Sequence, residues 1–315
     1  MSQRWKYMRV GMVHCMVFPE TSAGEGPVAR TVQQLVDDSF FDAIEITTIK
    51  DAGVRREVRD MLASSGKTAA YCCQPVQLGN RLNLNSLETA ERKRAVDACK
   101  ACIAEAYELG AAALSFLSGP DPGEPMRAEA TKALFESVDE MCGYAAASGD
   151  LQVILETFDR DVDKKALLGP NSEAVALAGN IRRRRDNFGL LLDMGHIPLQ
   201  RESLHDAIET ARQYLRQAHM GNCVLRDRAH PAYGDKHPRF GIPGGEHDVP
   251  ELAAFLRELY RIGFLREERR PILSFEMKPM SGESSDQVIE NAKQTLTAAW
   301  RLFQAEEHNQ EQAAP

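Results

Sequence analysis

Short apolar segments alternate with longer amphipathic segments along almost the whole chain. The short segments, several of which are rich in β-branched residues, are typical of buried strands. The longer segments, such as VPELAAFLRELYRIG, repeat apolar residues at helical spacing. The pattern predicts eight strands, at 8–17, 41–48, 68–75, 111–119, 151–158, 188–196, 215–222 and 270–279.

Eight strands that are each followed by a helix predict an α/β fold, a single (β/α)8 TIM barrel, and 315 residues suit one such domain. A doubly wound open sheet is the competing fold, but no GxGxxG or GxxxxGK[ST] motif follows the first strand. No linker divides the chain. We therefore expect a barrel catalytic domain over residues 8–305 and a polar, disordered tail over 306–315.

A long loop rich in Gly, Pro and His follows the seventh predicted strand. The segment HMGNCVLRDRAHPAYGDKHPRFGIPGGEHD, residues 219–248, holds four of the eight histidines of the chain. Connections of this length are generally functional or disordered, and the prolines favour an ordered course. Because the loop leaves a strand end at the barrel mouth, we expect it to form a wall or lid over the site.

Composition and charge narrow the classes of partner. A net charge of −8 argues against nucleic acid, because neutralising phosphates needs a basic face. No apolar segment approaches the roughly 18 residues of a membrane span, and the first residues do not resemble a signal peptide. The CxxC of Cys99 and Cys102 lies within a predicted helix, where we interpret both as packed, reduced thiols. We expect a cytoplasmic protein with no membrane or nucleic-acid partner.

Polar residues occur where the predicted strands end. A parallel barrel strand is buried on both faces, so a carboxylate or imidazole there is costly unless it is paired or bound to metal. The carboxyl ends of the strands meet at one mouth, where three carboxylates would repel one another without a cation between them. A mixed oxygen and nitrogen ligand set suits Mn²⁺ best, with Mg²⁺ or Co²⁺ as alternatives. The residues at these ends are Glu156, Asp193, His196, His219 and Glu276.

The motifs around these residues resemble those of a known family. LET at Glu156, DMGH at 193–196, HMGN at His219 and FEMKP at Glu276 are similar to motifs of the xylose-isomerase-like barrels, over about residues 8–300. That family includes sugar-phosphate isomerases, ketose 3-epimerases, inosose dehydratases and apurinic endonucleases. The resemblance implies that one divalent metal ion is bound by Glu156, Asp193, His219 and Glu276. It also implies that His196 either contacts the substrate or supports the metal ligands from behind.

The resemblance to ketose 3-epimerases implies a reaction. In those enzymes the two metal-binding glutamates also remove and return a proton next to a carbonyl, and here they would be Glu156 and Glu276. Arg226 is the nearest match to a substrate-binding arginine, displaced by one residue. Lys278 lies two residues after Glu276, on the same strand face, where it would meet an anionic substrate oxygen or form an ion pair with a carboxylate. The first expectation is a sugar isomerase or epimerase with a small-molecule substrate.

Two other functions remain open. The same chemistry can expel a β-leaving group, as in inosose dehydratases and in the catalytic subunits of C-glycoside deglycosidases, which act on 3-keto-glycosides. The loop offers Asp235 and His237 as substrate contacts for this lyase, with His230 and Arg239 nearby, unless the loop is only a solvated surface. A non-catalytic sugar-binding protein, or a subunit of a larger complex, is the alternative of another class. For any of these functions, the expected protein partners are a second copy of the chain or a small partner subunit.

Two further observations concern histidines. Asp235 and His237 have the Asp-x-His spacing that apurinic endonucleases use to bind a second metal ion. Those enzymes also need histidines from the second and third strand regions, and AIEITTI and YCCQPV contain none, so DNA repair is not expected. His14 lies in the first predicted strand, either as a buried structural imidazole or as a substrate contact.

Overall fold

Each of the eight apolar segments forms a strand in the computed structural model, which describes residues 6–313. The strands are parallel and pair in sequence order, and the eighth pairs with the first, so the sheet closes into a barrel. The predicted (β/α)8 barrel is therefore confirmed. The strands are β1 Arg9–Val13, β2 Ala43–Ile46, β3 Thr68–Cys72, β4 Ala111–Leu117, β5 Gln152–Glu156, β6 Phe188–Asp193, β7 Leu215–Gly221 and β8 Ile272–Glu276.

Helices surround the barrel, and short ones extend several strands at the mouth. They are α1 His14–Val17, α2 Val28–Asp37, α3 Ala52–Ser65, α4 Gln74–Gly79, α5 Thr89–Glu108, α6 Arg127–Ser148, α7 Asn171–Arg182, α8 His196–Leu199, α9 Leu204–Ala211, α10 Val249–Arg261 and α11 Ser285–Ala313, with short 3-10 helices at Pro19–Thr21 and Glu124–Met126. Cys99 and Cys102 lie on α5 as buried free thiols, as expected. Between residues 6 and 313, no helix is both long enough and apolar enough to cross a bilayer.

The last helix, α11, continues into the range 306–315, which the sequence predicts to be a tail. The side chains beyond residue 306 lie outside the described part of the chain. The prediction of a disordered tail therefore concerns mostly residues whose side chains lie outside the described part of the chain.

The first strand is shorter than predicted. It ends at Val13, and His14 begins helix α1. The imidazole of His14 is buried, and its Nε2 lies 2.8 Å from the hydroxyl oxygen of Thr31 on α2. Burial lowers the pKa of His14 to about 4, so the ring is neutral at physiological pH. Of the two readings left open by the sequence, the structure supports the structural imidazole.

Alternation along the strands separates two kinds of surface. Outward residues such as Val10 and Met12 pack in the large core between the barrel and its helices. Inward residues form small clusters inside the barrel, including one of Ala43, Ala70 and Ile272 and another of Ala113, Ile154 and Leu191. Two residues further along the same faces the side chains become polar. The apolar half of the barrel interior thus supports a polar half at the carboxyl ends of the strands.

The apolar half leaves little free volume around β1. A Cβ atom on Gly11 would lie 2.1 Å from Oγ of Ser274, 3.1 Å from Cβ of Ser274 and 3.2 Å from Cβ of Ala43. Both neighbours are the residues paired with Gly11 on the adjacent strands β8 and β2. A side chain at position 11 therefore requires the strands to move.

We predict that Gly11→Ala lowers the free energy of unfolding by roughly 1–3 kcal/mol, the usual cost of overpacking a core. Urea denaturation measures the change. Gly79→Ala is the matched control, because a Cβ there meets nothing within 4 Å. Adding Ser274→Gly to Gly11→Ala should recover most of the loss. Equal stabilities of the two single alanine variants would contradict the assigned packing.

Candidate metal centre

The carboxyl ends of β5, β6, β7 and β8 bring four predicted ligands together. Glu156, Asp193, His219 and Glu276 each offer a ligand atom, and these atoms lie within 4.8 Å of one another. Nδ1 of His219 lies 2.6 Å from Glu276 Oε2, 3.6 Å from Glu156 Oε1 and 3.7 Å from Asp193 Oδ2. Glu276 has 12% of its side chain exposed, and the other three have at most 1%. The cluster is therefore polar and almost inaccessible to solvent at the carboxyl ends of the strands.

In two of the carboxylates, one oxygen accepts a hydrogen bond from the protein and the other has no hydrogen-bond partner. Gln74 Nε2 donates to Oε2 of Glu156 at 2.6 Å, and the backbone N–H of Gly195 donates to Oδ1 of Asp193. The other oxygens, Glu156 Oε1 and Asp193 Oδ2, are buried and have no hydrogen-bond partner. A buried acceptor without a partner is costly. One oxygen of each group is therefore positioned by the protein while the other is available to a cation.

Gly221, which has no side chain, leaves space beside the cluster. A Cβ on Gly221, at the end of β7, would lie 2.6 Å from Oδ1 of Asp193. The donors that converge here are carboxylate oxygens and one imidazole nitrogen, which bind divalent cations of intermediate hardness. The geometry and the donor chemistry both fit a divalent metal ion.

The pKa values reflect how closely the charges are packed. Burial raises the pKa of Asp193 to about 6, against the opposing effect of His196 and His237. Burial also disfavours the charged form of Glu276, but His237 and His219 outweigh it and lower the pKa of Glu276 to about 2. Burial alone would lower the pKa of His219, yet the surrounding carboxylates raise it well above its ordinary value. Without a cation, His219 therefore carries a second ring proton, which metal binding must release.

The long loop, residues 222–248, covers this centre. Asp235 Oδ1 lies 2.6 Å from Nε2 of His237 and 3.1 Å from Nε2 of His196. Nε2 of His237 lies 3.7 Å from Oε1 of Glu276. The backbone of His237 has φ = 50°, a left-handed conformation uncommon outside glycine, and its carbonyl accepts the N–H of Lys278 at 2.7 Å. The loop is thus ordered against β8, with Asp235 and His237 turned inward and buried.

A second group of side chains adjoins the first. Asp193, His196 and His237 also offer ligand atoms within 4.8 Å of one another. Nδ1 of His196 lies 2.9 Å from the carbonyl oxygen of Thr157, which directs Nε2 toward Asp235. Although burial opposes it, the neighbouring Asp235 and Glu276 raise the pKa of His237 to about 9. His237 is therefore cationic at neutral pH beside the carboxylates.

Two predicted substrate contacts are not brought to the centre. The side chain of Arg226 is 87% exposed and pairs with Glu246 at 3.2 Å. Lys278 follows the end of β8, and its side chain is exposed, so only its backbone N–H meets the loop in the contact described above. Arg239 forms an ion pair with Glu283 at 2.8 Å.

Three residues at the centre were missed by the sequence analysis. Glu45 on β2 lies 3.1 Å from Nε2 of His219, and Gln74 at the start of α4 holds Glu156. Nζ of Lys164, from the loop after β5, donates to Oδ2 of Asp235 at 2.6 Å. Glu45 carried a signal, because AIEI places a carboxylate in an apolar strand just as VILE does. Gln74 lies near the end of the predicted strand 68–75, so its position was a weaker form of the same signal, whereas Lys164 lies outside the strands and carried none.

Solved structures with the same fold include sugar epimerases. A D-tagatose 3-epimerase-like protein has 17% identity and a TM-score of 0.73, covering 95% of this chain and 99% of that chain. D-Psicose 3-epimerase from Clostridium cellulolyticum H10, solved with D-tagatose, has 18% identity and a TM-score of 0.65, with coverage of 95% and 99%. The IOLI protein with a bound zinc atom has 14% identity and a TM-score of 0.71, with coverage of 94% and 99%. At these identities the likeness establishes the fold.

Sequence comparison gives the family. No curated protein matches the chain. The family model described as "xylose isomerase-like TIM barrel" matches residues 33–299, a range that contains strands β2 to β8 and all four residues of the metal-ligand cluster. The chain therefore belongs to the xylose isomerase-like TIM barrel family.

Proposed function

We propose that this protein is a divalent-metal-dependent carbohydrate enzyme that abstracts a proton next to a carbonyl, as a sugar isomerase or epimerase does. One observation carries the proposal. Two glutamates from different strands, Glu156 and Glu276, approach the same nitrogen of His219, and both side chains are largely buried. The epimerase structures that share the fold support the choice of a sugar substrate.

The proposed roles follow from the charges of the residues. A bound divalent cation would polarise the substrate carbonyl and stabilise the negative charge that develops on its oxygen. With a pKa of about 2, Glu276 is ionised at neutral pH and can accept the proton from the neighbouring carbon. Glu156 is the partner that returns a proton from another direction. Return to the same carbon with inversion gives an epimer, and return to the former carbonyl carbon gives an isomer.

The metal proposed is one Mn²⁺ ion, with Mg²⁺ or Co²⁺ as alternatives. Three carboxylates and one imidazole form an oxygen-rich ligand set without a thiolate. Substrate oxygens would complete the coordination.

The purified protein should bind one equivalent of Mn²⁺ per chain, and chelation should abolish turnover until Mn²⁺ is restored. Asp193→Asn should weaken binding by more than the roughly 10–100-fold typical of losing a hydrogen-bond partner of a ligand. Isothermal titration calorimetry measures the binding affinity, and elemental analysis measures the metal content per chain. Asp139→Asn is the control, because Asp139 pairs with Arg185 away from the centre. Full activity after metal removal would contradict the proposal.

Glu156→Gln and Glu276→Gln should each reduce turnover at least about 10²-fold at saturating Mn²⁺, because a positioned acid or base contributes 10²–10⁴. In ²H₂O the wild type should exchange solvent deuterium into the carbon next to the carbonyl of a ketose substrate. Mass spectrometry detects the exchange, and metal content is checked in each variant. Mild Gln variants in an active enzyme without exchange would indicate a hydride shift instead.

Elimination on a keto-sugar is the second candidate, and His237 favours it. A buried imidazole with a pKa of about 9, facing Glu276, is charged at neutral pH and can protonate a leaving group. Asp235 holds that imidazole by accepting its Nε2–H. The substrates of such a lyase would be inososes or 3-keto-glycosides.

His237→Ala should lower turnover or substrate affinity while leaving the metal content unchanged, since we propose that His237 contacts the substrate. His205→Ala, on the exposed helix α9, is the control. Product analysis separates the two candidates, because elimination releases a leaving group and isomerisation conserves mass. Wild-type behaviour of His237→Ala would remove His237 from the site, and loss of a metal equivalent would make it a ligand instead.

A further inference from the structure

A buried carboxylate lies behind the predicted metal ligand His219. Glu45, on the inward face of β2, is 0% exposed, and its Oε1 and Oε2 lie 3.1 and 3.3 Å from Nε2 of His219. The other ring nitrogen, Nδ1, faces Glu156, Asp193 and Glu276. The two nitrogens of one imidazole are therefore directed to opposite sides.

We propose that Glu45 is a positioning residue for the metal centre. It accepts a hydrogen bond from Nε2–H of His219, which fixes the ring orientation and the tautomer in which the lone pair of Nδ1 is free for a cation. The inference rests on the metal centre of the proposed function and not on the reaction carried out there.

The surroundings of Glu45 favour this role over a structural one. Its partners in register on the neighbouring strands, Val13 and Ala70, are apolar. Cys72 donates a weak hydrogen bond from its thiol at 3.5 Å. Among the described side chains, no Lys or Arg forms an ion pair with Glu45, and His219 is its ion-pair partner. An apolar residue would satisfy the packing of β2, so the imidazole is the interaction that requires a carboxylate.

A carboxylate in this position should strengthen metal binding. An imidazole whose second nitrogen donates to a carboxylate is oriented in advance and is a more basic ligand. Gln217 also approaches Nε2 of His219, at 3.5 Å, but through its amide nitrogen, which donates and cannot accept the ring N–H, so it does not replace Glu45. Loss of such a partner typically weakens metal affinity about 10–100-fold.

The test compares three variants of the full-length chain. Glu45→Leu removes the acceptor, Glu45→Gln keeps an acceptor oxygen without the charge, and Glu105→Gln is the matched control. Glu105 is a largely buried carboxylate outside the barrel that accepts from Tyr71 Oη and Ile49 N–H. Electron paramagnetic resonance of free Mn²⁺ gives the dissociation constant, and the visible spectrum of the Co²⁺ form reports the ligand geometry.

We expect Mn²⁺ binding by Glu45→Leu to be about 10–100-fold weaker, with a changed Co²⁺ spectrum. Glu45→Gln should lose less, and Glu105→Gln should match the wild type. Wild-type affinity and spectrum in Glu45→Leu would overturn the proposal. A wild-type protein that binds no Mn²⁺ would instead overturn the metal centre itself.

The tautomer can be read without any change at position 45, which matters if Glu45→Leu does not fold. In the Zn²⁺-loaded wild type with ¹⁵N-labelled histidine, the ring of His219 should carry its proton on Nε2. His219→Gln assigns the signal. A proton on Nδ1, or metal bound through Nε2, would overturn the proposal whatever the variants show.

Discussion

Repulsion among three carboxylates in a water-poor pocket is the constraint on which the rest of the site depends. Two like charges about 4 Å apart repel by roughly 4 kcal/mol at an effective dielectric constant of 20. Here three such groups meet inside the barrel, with ligand atoms within 4.8 Å. The hydrogen bonds from Gln74 and Gly195, the proton on His219 and the cationic His237 all reduce this repulsion. A divalent cation is the component that would balance the remainder.

The fold and the meeting of polar side chains at the barrel mouth could be predicted from the sequence because both depend on periodicity, whereas the choice of metal ligands among them is implied by the family resemblance. A period of two along each strand and a common mouth for parallel strands bring Glu156 and Asp193 together from positions far apart in the chain. The same reasoning predicts Glu45, because AIEI places a carboxylate in an apolar strand just as VILE does. Lys164 could not be found this way, because loop paths depend on tertiary contacts that no local pattern encodes.

Two other expectations show what local sequence patterns alone cannot predict. The apolar run 8–17 suggested one long strand, but apolar spacing alone does not distinguish a strand from a short buried helix, and the chain turns into α1 at His14. The prediction that Arg226 contacts the substrate rests on its resemblance to a motif arginine from which it is displaced by one residue. In an irregular loop, one residue changes the direction of a side chain, and here Arg226 points to solvent.

The pairing of Lys164 with Asp235 ties the loop after β5 to the loop after β7 over a centre whose ligands have at most 12% of their side chains exposed. In the proposed function, a sugar would reach such a centre only after these loops separate. Observed affinity then equals the intrinsic affinity multiplied by the fraction of open molecules, so an open population of about 1% would weaken apparent binding about 100-fold. Sugars whose own hydroxyls replace Lys164 at Asp235 would recover part of that loss. In the proposed enzyme, the ion pair would therefore make the choice of substrate depend on the fraction of open molecules as well as on contacts at the metal.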